Sequence, residues 1–166
     1  MKFKILVFVL LVWICQVVRA QQDPALNQVF VEAWGLGGYG SINYERIYYC
    51  INDWMFGMRA GLGSYRLRDY TNAFNPDLLL PFTMNMLYGG LHKIECGIGG
   101  TIARIVQADS EMFRPVRKTH YHPALTIGYR YQKTAGGLVF RGNYIPILER
   151  GRHFRHWAGI SIGYSF

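Results

Sequence analysis

Apolar residues alternate with small or polar residues along the stretch His156-Trp157-Ala158-Gly159-Ile160-Ser161-Ile162-Gly163-Tyr164-Ser165-Phe166. Counted back from Phe166, every second residue down to Ala158 is apolar, and the residues between them are glycine or serine. A period of two predicts a β-strand, whose successive side chains point to opposite faces. An apolar face opposed to a small, polar face is typical of a strand in a transmembrane β-barrel. The terminal strand of a soluble β-sandwich is the alternative interpretation.

The opposite end of the chain has the features of a secretory signal peptide. A short basic segment, Met1–Lys4, precedes the almost wholly apolar run Ile5–Val18, and Ala20 offers a small residue before a cleavage site. The apolar run is too short to cross a bilayer comfortably as a helix. Cys15 raises a lipoprotein alternative, but it follows Trp13-Ile14, where a lipidation motif has a small residue. We therefore expect a signal peptide over residues 1–20 and an outer-membrane β-barrel over residues 21–166.

The composition favours a barrel over other membrane or soluble classes. Aromatic residues make up 16% of the chain, there are 19 glycines, and charged residues reach only 17%, below the roughly 25% of an ordinary soluble domain. The mean hydropathy of +0.05 is too low for a helical membrane protein. It suits a barrel, in which only every second residue meets lipid.

The mature chain is predicted to form eight antiparallel strands in an up-and-down transmembrane β-barrel. The expected strands are Val29–Leu36, Ser41–Tyr49, Trp54–Ser64, Leu80–Tyr88, His92–Val106, Tyr121–Gln132, Gly137–Pro146 and the terminal strand. The glycine-rich stretch Gly37–Gly40 separates the first two strands; without that turn, Val29–Tyr49 would be one bent strand and the count would be seven. An odd count conflicts with the even strand number of bacterial barrels.

The connections between these strands alternate in length. The second, fourth and sixth are short, and the third, fifth and seventh are long and polar. Bacterial outer-membrane barrels have short periplasmic turns and longer extracellular loops. The alternation therefore predicts an outer-membrane protein of Gram-negative type with both termini in the periplasm.

Two glycine-rich stretches, Gly38–Arg46 and Gly57–Gly63, together with the aromatic terminal strand, carry a family resemblance. The mature chain resembles the small eight-stranded outer-membrane barrels, the class of the OmpA transmembrane domain, OmpX and OmpW, and also short barrel proteins of Bacteroidota. The resemblance implies insertion by the outer-membrane barrel assembly machinery. It also implies that the last strand holds the assembly signal, formed by Ile160, Ile162, Tyr164 and Phe166. We expect a monomeric or weakly associating barrel.

The strand alternation directs a balanced set of charges into the predicted lumen. This set consists of three acids and three arginines: Glu32, Glu45, Arg59, Glu95, Arg130 and Arg141. The interior of an eight-stranded barrel is barely wide enough for side chains, and an unpaired buried charge there would be costly. The first interpretation is a polar plug in a structural or surface-interaction protein. The alternative is a narrow gated pore for ions or small solutes, which opens when the charges exchange partners.

Basic residues and histidines concentrate in the last two long connections. Arginine and lysine clusters suit phosphate, so we expect contact with lipopolysaccharide and outer-membrane lipid through Arg114, Arg117, Lys118, Arg150, Arg152 and Arg155. No nucleic-acid-binding motif accompanies this charge. The histidines of the same region are candidates for zinc or copper, or else solvated loop residues: His120, His122, His153 and His156.

A lipid-modifying enzyme is a further alternative, since some outer-membrane barrels use serine and histidine near the outer leaflet. His156 and Ser161 lie five residues apart on one strand, hence on opposite faces, and no nucleophile–base pair is evident. We expect neither enzymatic activity nor a cofactor. Cys50 and Cys96 would lie on strands that are not neighbours, so we expect free thiols.

Overall fold

The computed structural model describes residues 24–69, 72–108, 115–148 and 154–166. They form a closed antiparallel barrel of eight strands in chain order: β1 (Asn27–Gly35), β2 (Gly38–Ile51), β3 (Trp54–Ser64), β4 (Leu78–Tyr88), β5 (His92–Ala108), β6 (Pro115–Gln132), β7 (Gly137–Leu148) and β8 (Phe154–Ser165). In this part of the chain no helix is long and apolar enough to cross a membrane. The expected signal peptide lies outside the described residues.

Closure of the barrel comes from pairing between its first and last strands. β1 pairs with β8 from Gln28 opposite Ser165 to Ala33 opposite Ile160, and β1 also pairs with β2. A two-residue turn, Leu36-Gly37, separates β1 from β2. The prediction of eight strands is therefore confirmed, and neither the seven-stranded count nor a two-sheet sandwich describes this chain.

β5 and β6 are longer than predicted. They pair without interruption from His92 opposite Tyr131 to Ala108 opposite Pro115. Arg117, Lys118 and His120 were therefore wrongly expected to precede the sixth strand, because they lie within β6. Their polarity suggested a loop, but a strand that extends beyond its other neighbours tolerates polar residues on both faces.

The pattern of burial along the strands is the reverse of that in a soluble protein. In β4 the polar Thr83 and Asn85 are buried, while Phe82, Met84 and Met86 are exposed on the outer wall. Buried polar and exposed apolar side chains are each informative exceptions in a soluble domain. Here they alternate along whole strands, so the barrel has a polar interior and an apolar outer wall.

Glycines make room for polar side chains inside the barrel. Gly61 is opposite Asn43 and Gly128 is opposite Asn143 in the strand register. A Cβ atom at either glycine would collide with the asparagine side chain opposite it. The small residues of the alternating pattern are therefore needed on the inward face, where space is shortest.

Candidate functional site

All six charged residues assigned to the lumen point into the barrel. They come from six different strands, and none of them is more than 4% exposed: Glu32, Glu45, Arg59, Glu95, Arg130 and Arg141. Strand alternation explains their common direction, because each occupies an inward position of its own strand. They separate into a cluster of four residues and a pair.

The cluster of four, here called the central quartet, consists of Glu45, Glu95, Arg130 and Arg141. Nη2 of Arg130 lies 2.7 Å from Oε2 of Glu45 and 2.7 Å from Oε2 of Glu95. Nη2 of Arg141 lies 3.1 Å from Oε2 of Glu45 and 2.5 Å from Oε1 of Glu95. Each carboxylate thus binds both guanidinium groups. This mutual pairing allows Arg130 and Arg141, which are direct cross-strand neighbours, to lie side by side despite their like charge.

Amide side chains supply further hydrogen bonds to the central quartet. Nδ2 of Asn85 donates to Oε1 of Glu45 over 2.6 Å. Nη1 of Arg130 donates to the side-chain oxygens of Gln28 and Gln132, each over 3.3 Å. Buried charges need such additional partners, because pairing alone leaves lone pairs and protons without hydrogen bonds.

The remaining two charges form a separate ion pair. Nη1 and Nη2 of Arg59 donate to Oε1 and Oε2 of Glu32, each over 3.2 Å, in a bidentate arrangement. Strand register places Arg59 opposite Glu45, yet it binds Glu32 two strands away. The ring of Phe30 lies between the two groups, with Cζ of Arg141 4.7 Å and Cζ of Arg59 5.5 Å from its centroid.

An apolar layer lies beyond the charges in the lumen, at the end of the long connections. Leu36, from the turn between β1 and β2, packs with Ala124 and Ile145, and Trp157 contacts this cluster. Oγ1 of Thr101, on the opposite side of the barrel, donates to the carbonyl oxygen of Leu36 over 2.7 Å. The turn therefore folds across the mouth of the barrel, and we call these four apolar residues the apolar cap.

A lysine lies at the other end of the lumen. Lys93 is 1% exposed, and its Nζ donates to the carbonyl oxygens of Gly90 and, over 3.0 Å, of Gln132. Its charge is thus held by backbone carbonyls of the neighbouring short turn and strand. The lumen of the described barrel is layered from a lysine through the paired charges to the apolar cap.

Several of these residues were not found by sequence reasoning. Phe30 and Gln28 lie two and four residues before Glu32 on the inward face of β1. The alternation of side chains along a strand could therefore have predicted their inward direction. Thr101 lies on the predicted inward face of the fifth strand with Glu95, but Leu36 carried no such signal, because its contact depends on a turn that bends inward. An apolar Leu next to a glycine-rich turn is compatible with many loop conformations.

Some buried polar atoms on inward side chains have no hydrogen-bond partner within the described part of the protein. They include Oδ1 of Asn43, Asn85 and Asn143 and Oγ1 of Thr83 and Thr126. Buried oxygens of this kind are normally satisfied by protein or by ordered water. The lumen walls between the charged residues therefore have capacity to hydrogen-bond small polar molecules.

The basic residues that were predicted to bind phosphate are only partly within the described structure. Arg117 and Lys118 are exposed on β6, and Nη2 of Arg117 donates to Oδ1 of Asn75 over 2.5 Å. Arg155 lies in β8. The other three lie outside the described residues: Arg114, Arg150 and Arg152. Sequence reasoning missed Arg104, which is exposed on β5 opposite Thr119.

The histidines do not converge within the described structure. His120 and His122 are half-buried on β6 with ring centroids 6.3 Å apart, whereas His156 is exposed and contacts the Tyr144 hydroxyl. His153 lies outside the described residues. Among the residues described, no three potential metal ligands of the His, Cys, Asp or Glu type come together.

The remaining candidate positions lie on the outer wall. Cys50 is exposed and Cys96 half-buried, and both are free thiols. The four residues assigned to the assembly signal are all exposed in or next to β8: Ile160, Ile162, Tyr164 and Phe166. The backbones of Phe166 and Asn27 exchange two hydrogen bonds of 2.8 and 2.9 Å, which ties the end of the last strand to the start of the first.

Comparisons with known proteins define the class of this fold. No protein-family model and no curated protein matches the chain. Among solved structures, the barrel is similar to the N-terminal β-barrel domain of Pseudomonas aeruginosa OprF, with a TM-score of 0.55 and 14% identity over 84% of this chain and 95% of that one. It is also similar to the outer membrane protein Ail of Yersinia pestis in a phospholipid bilayer nanodisc, with a TM-score of 0.51 and 11% identity over 86% of this chain and 99% of that one.

Both similar structures are small eight-stranded outer-membrane barrels. The chain therefore has the fold of that class, and the predicted fold class is confirmed. At such low identities the likeness concerns the fold alone. The expected likeness to proteins of Bacteroidota stays a prediction.

Proposed function

We propose that this protein is an integral outer-membrane β-barrel with a structural or surface-interaction role and a lumen plugged by paired charges. The observation that carries the proposal is the combination of an apolar outer wall with buried, mutually paired charges inside. Such a wall needs hydrocarbon around it, because exposed apolar surface of this extent is unfavourable in water. The charges tolerate burial because each guanidinium has a carboxylate partner.

The orientation in the membrane follows from the connections. The short second, fourth and sixth connections, the start of β1 and the end of β8 lie at one end of the barrel. The longer connections lie at the other end, together with the two-residue turn between β1 and β2. Short turns are periplasmic in bacterial barrels. We therefore propose that both chain termini lie in the periplasm after removal of residues 1–20, and that the barrel assembly machinery inserts the barrel through β8.

Electrophoresis of the outer-membrane fraction in SDS, heated against unheated, tests the proposal. We expect a faster unheated band for the intact chain and a weaker one for Phe166→Ala, with Leu138→Ala as the control on the neighbouring strand. Cys50 reports the orientation, because it is exposed beside a short turn. A membrane-impermeant maleimide should leave it unlabelled in intact cells, but should label a cysteine placed at Asn72. Recovery of a soluble periplasmic protein without a heat shift contradicts the proposal.

For the surface role, we propose contact with lipopolysaccharide phosphates at the rim of the long connections. Ile102 of β5 is opposite Tyr121 of β6. Toward the long connections, Arg104 is the next outward residue after Ile102, and Arg117 is the second outward residue after Tyr121. Tyr121 packs on Phe82 with ring centroids 6.1 Å apart, as in the aromatic girdle of a membrane interface. Arginines just beyond such a girdle are suited to phosphate groups at the membrane surface.

Binding of purified lipopolysaccharide to the folded barrel tests this contact. The double variant Arg104→Gln/Arg117→Gln should bind at least about tenfold more weakly, because two charge-assisted contacts are lost. Lys133→Gln, an exposed cation at the opposite end of the barrel, is the matched control and should bind like the parent. Equal losses in the two variants would contradict a specific rim contact.

A narrow gated pore is the second candidate, and the unpartnered inward oxygens favour it. If the ion pairs separated, these oxygens could hydrogen-bond water molecules along a channel through the lumen. Planar-bilayer recordings decide between the candidates. Stable unitary steps that change with Arg59→Ala or Glu95→Ala support the pore, and an electrically silent barrel with both variants supports the plug.

A further inference from the structure

The outer wall of the barrel contains an apolar groove near the short-turn end. Its volume is about 670 Å³ and it crosses β2, β3, β4 and β5. This volume lies within the range of about 300–1,000 Å³ that is usual for small-molecule sites. The groove is separate from the lumen, because outward side chains form its walls.

Two rows of outward side chains form these walls. In one row, Phe56 is opposite Met86, and Met86 is opposite Cys96. In the other row, Met58 is opposite Met84, and Met84 is opposite Ile98. Methionine is flexible and polarizable and adapts its shape to apolar partners. The groove is therefore suited to a flexible hydrocarbon chain.

A cation lies at one end of the second row. Arg46 is opposite Met58 in the register and is exposed on the outer wall. Its Cζ lies 5.7 Å from the ring centroid of Tyr48, which lines the groove. Among the described residues, no carboxylate lies within ion-pair distance of Arg46. An outward arginine on an apolar wall favours an anionic partner, and its planar guanidinium matches phosphate.

The slope of the rows places Arg46 at the lower end of the second row. A row that starts at Ile51, beside the short turn between β2 and β3, ends at Ala33, at the opposite end of β1. It runs through Ile51, Trp54, Tyr88, Ile94, Tyr129, Gly142, Ile160 and Ala33. Cross-strand rows thus rise from the short-turn end as they pass from β2 to β8. The second row consequently runs from Arg46, on the short-turn side of the groove, toward the middle of the bilayer at Ile98.

We propose that this groove binds a phospholipid of the periplasmic leaflet, with the phosphate on Arg46 and one acyl chain between the two rows. The inference rests on the proposed function, since it requires a barrel that spans the bilayer with its short turns in the periplasm. A second apolar groove of about 480 Å³, lined in part by Val31, Phe140 and Ile162, serves as the internal comparison. No outward arginine or lysine ends that groove within the described strands, so it should hold no lipid selectively.

Native mass spectrometry of the barrel extracted from mixed phosphatidylglycerol and phosphatidylcholine vesicles tests the site. The parent chain should retain one phosphatidylglycerol in preference to phosphatidylcholine. Arg46→Gln should lower this retention about tenfold, the effect of one charge-assisted contact. Lys133→Gln removes an exposed cation in the short turn between β6 and β7, away from the groove, and should retain lipid like the parent. Met84→Trp fills the groove and should lower retention, while Ile162→Trp in the second groove should not.

The site is overturned by equal retention in Arg46→Gln and the parent, by an equal loss with Lys133→Gln, or by a barrel dimer that Met84→Trp dissociates. The last result would assign the groove to a second copy of the chain. Each chain is first checked for the heat shift in SDS. A parent that shifts but retains no phosphatidylglycerol overturns the lipid site alone, whereas a parent that does not shift overturns the membrane barrel and the site with it.

Discussion

The central quartet and the apolar cap occupy neighbouring layers of the same lumen, but they are held in different ways. In the quartet, each carboxylate binds two guanidinium groups that come from other strands. The cap consists of apolar side chains and one hydrogen bond from Thr101 to the backbone of Leu36. Charges that are buried together depend on every partner, whereas apolar contacts are non-directional and lose stability by degrees. The two layers should therefore respond very differently to the loss of a single side chain.

The largest effect is expected for Glu45→Ala. This change leaves Arg130 and Arg141 with one carboxylate between them and removes the acceptor of Asn85. Breaking a buried ion pair from one side should lower the free energy of unfolding by about 3–5 kcal/mol. Urea unfolding of the folded barrel in lipid vesicles, followed by tryptophan fluorescence, measures the change. Ile42→Ala, an outward position of the same strand, is the control and should cost less than half as much; equal losses would contradict the special role of the quartet.

A double-mutant cycle on Arg59 and Glu32 sharpens the comparison within the charged layer. Arg59→Met alone should cost about 3 kcal/mol, because Glu32 is left buried without its bidentate partner. Adding Glu32→Leu should recover about 1–3 kcal/mol relative to the sum of the single changes. The free energies of unfolding of the four chains supply this coupling energy. Strict additivity would show that the pair contributes no interaction of its own.

In the apolar cap, Leu36→Ala should cost about 2 kcal/mol, the lower end for a buried leucine. Its side chain is 4% exposed and packs on Ala124 and Ile145. The turn can relax into the space, so the loss should stay below that of Glu45→Ala. The same unfolding measurement ranks the two. A larger loss for Leu36→Ala would reverse the comparison between the layers.

The smallest effect is expected for Thr101→Val, which keeps the shape of the side chain and removes its hydrogen bond to Leu36. One neutral hydrogen bond contributes about 1 kcal/mol. Hydrogen exchange at the Leu36-Gly37 turn should become faster while the core strands stay unchanged. Thr119→Val, at an exposed position of β6, should change stability by less than about 0.5 kcal/mol. Unchanged exchange at the turn would show that this bond does not hold the cap in place.

Much of the barrel was predictable because strand alternation is a local property. β3 begins and ends at the predicted residues, Trp54 and Ser64. The alternation of side chains also predicted the inward direction of Glu95 and Arg130, because each lies on a strand whose opposite face is clearly apolar. The least accurate boundary was the start of β6, which begins at Pro115 and not at Tyr121, because polar residues such as Arg117 continue the strand. Outside the expected membrane span, polarity no longer distinguishes a strand from a loop.

The sequence by itself determined the number of strands, their order and the inward face of the six lumen charges, because a period of two directs side chains without reference to distant residues. Only the tertiary structure decided which charges pair. Glu45 lies opposite Arg59 in the register but binds Arg130, which is 85 residues away along the chain. Closure of the barrel brings inward side chains of non-adjacent strands within reach of each other across a narrow lumen. The final partners follow from side-chain length, space and the need to satisfy every buried charge.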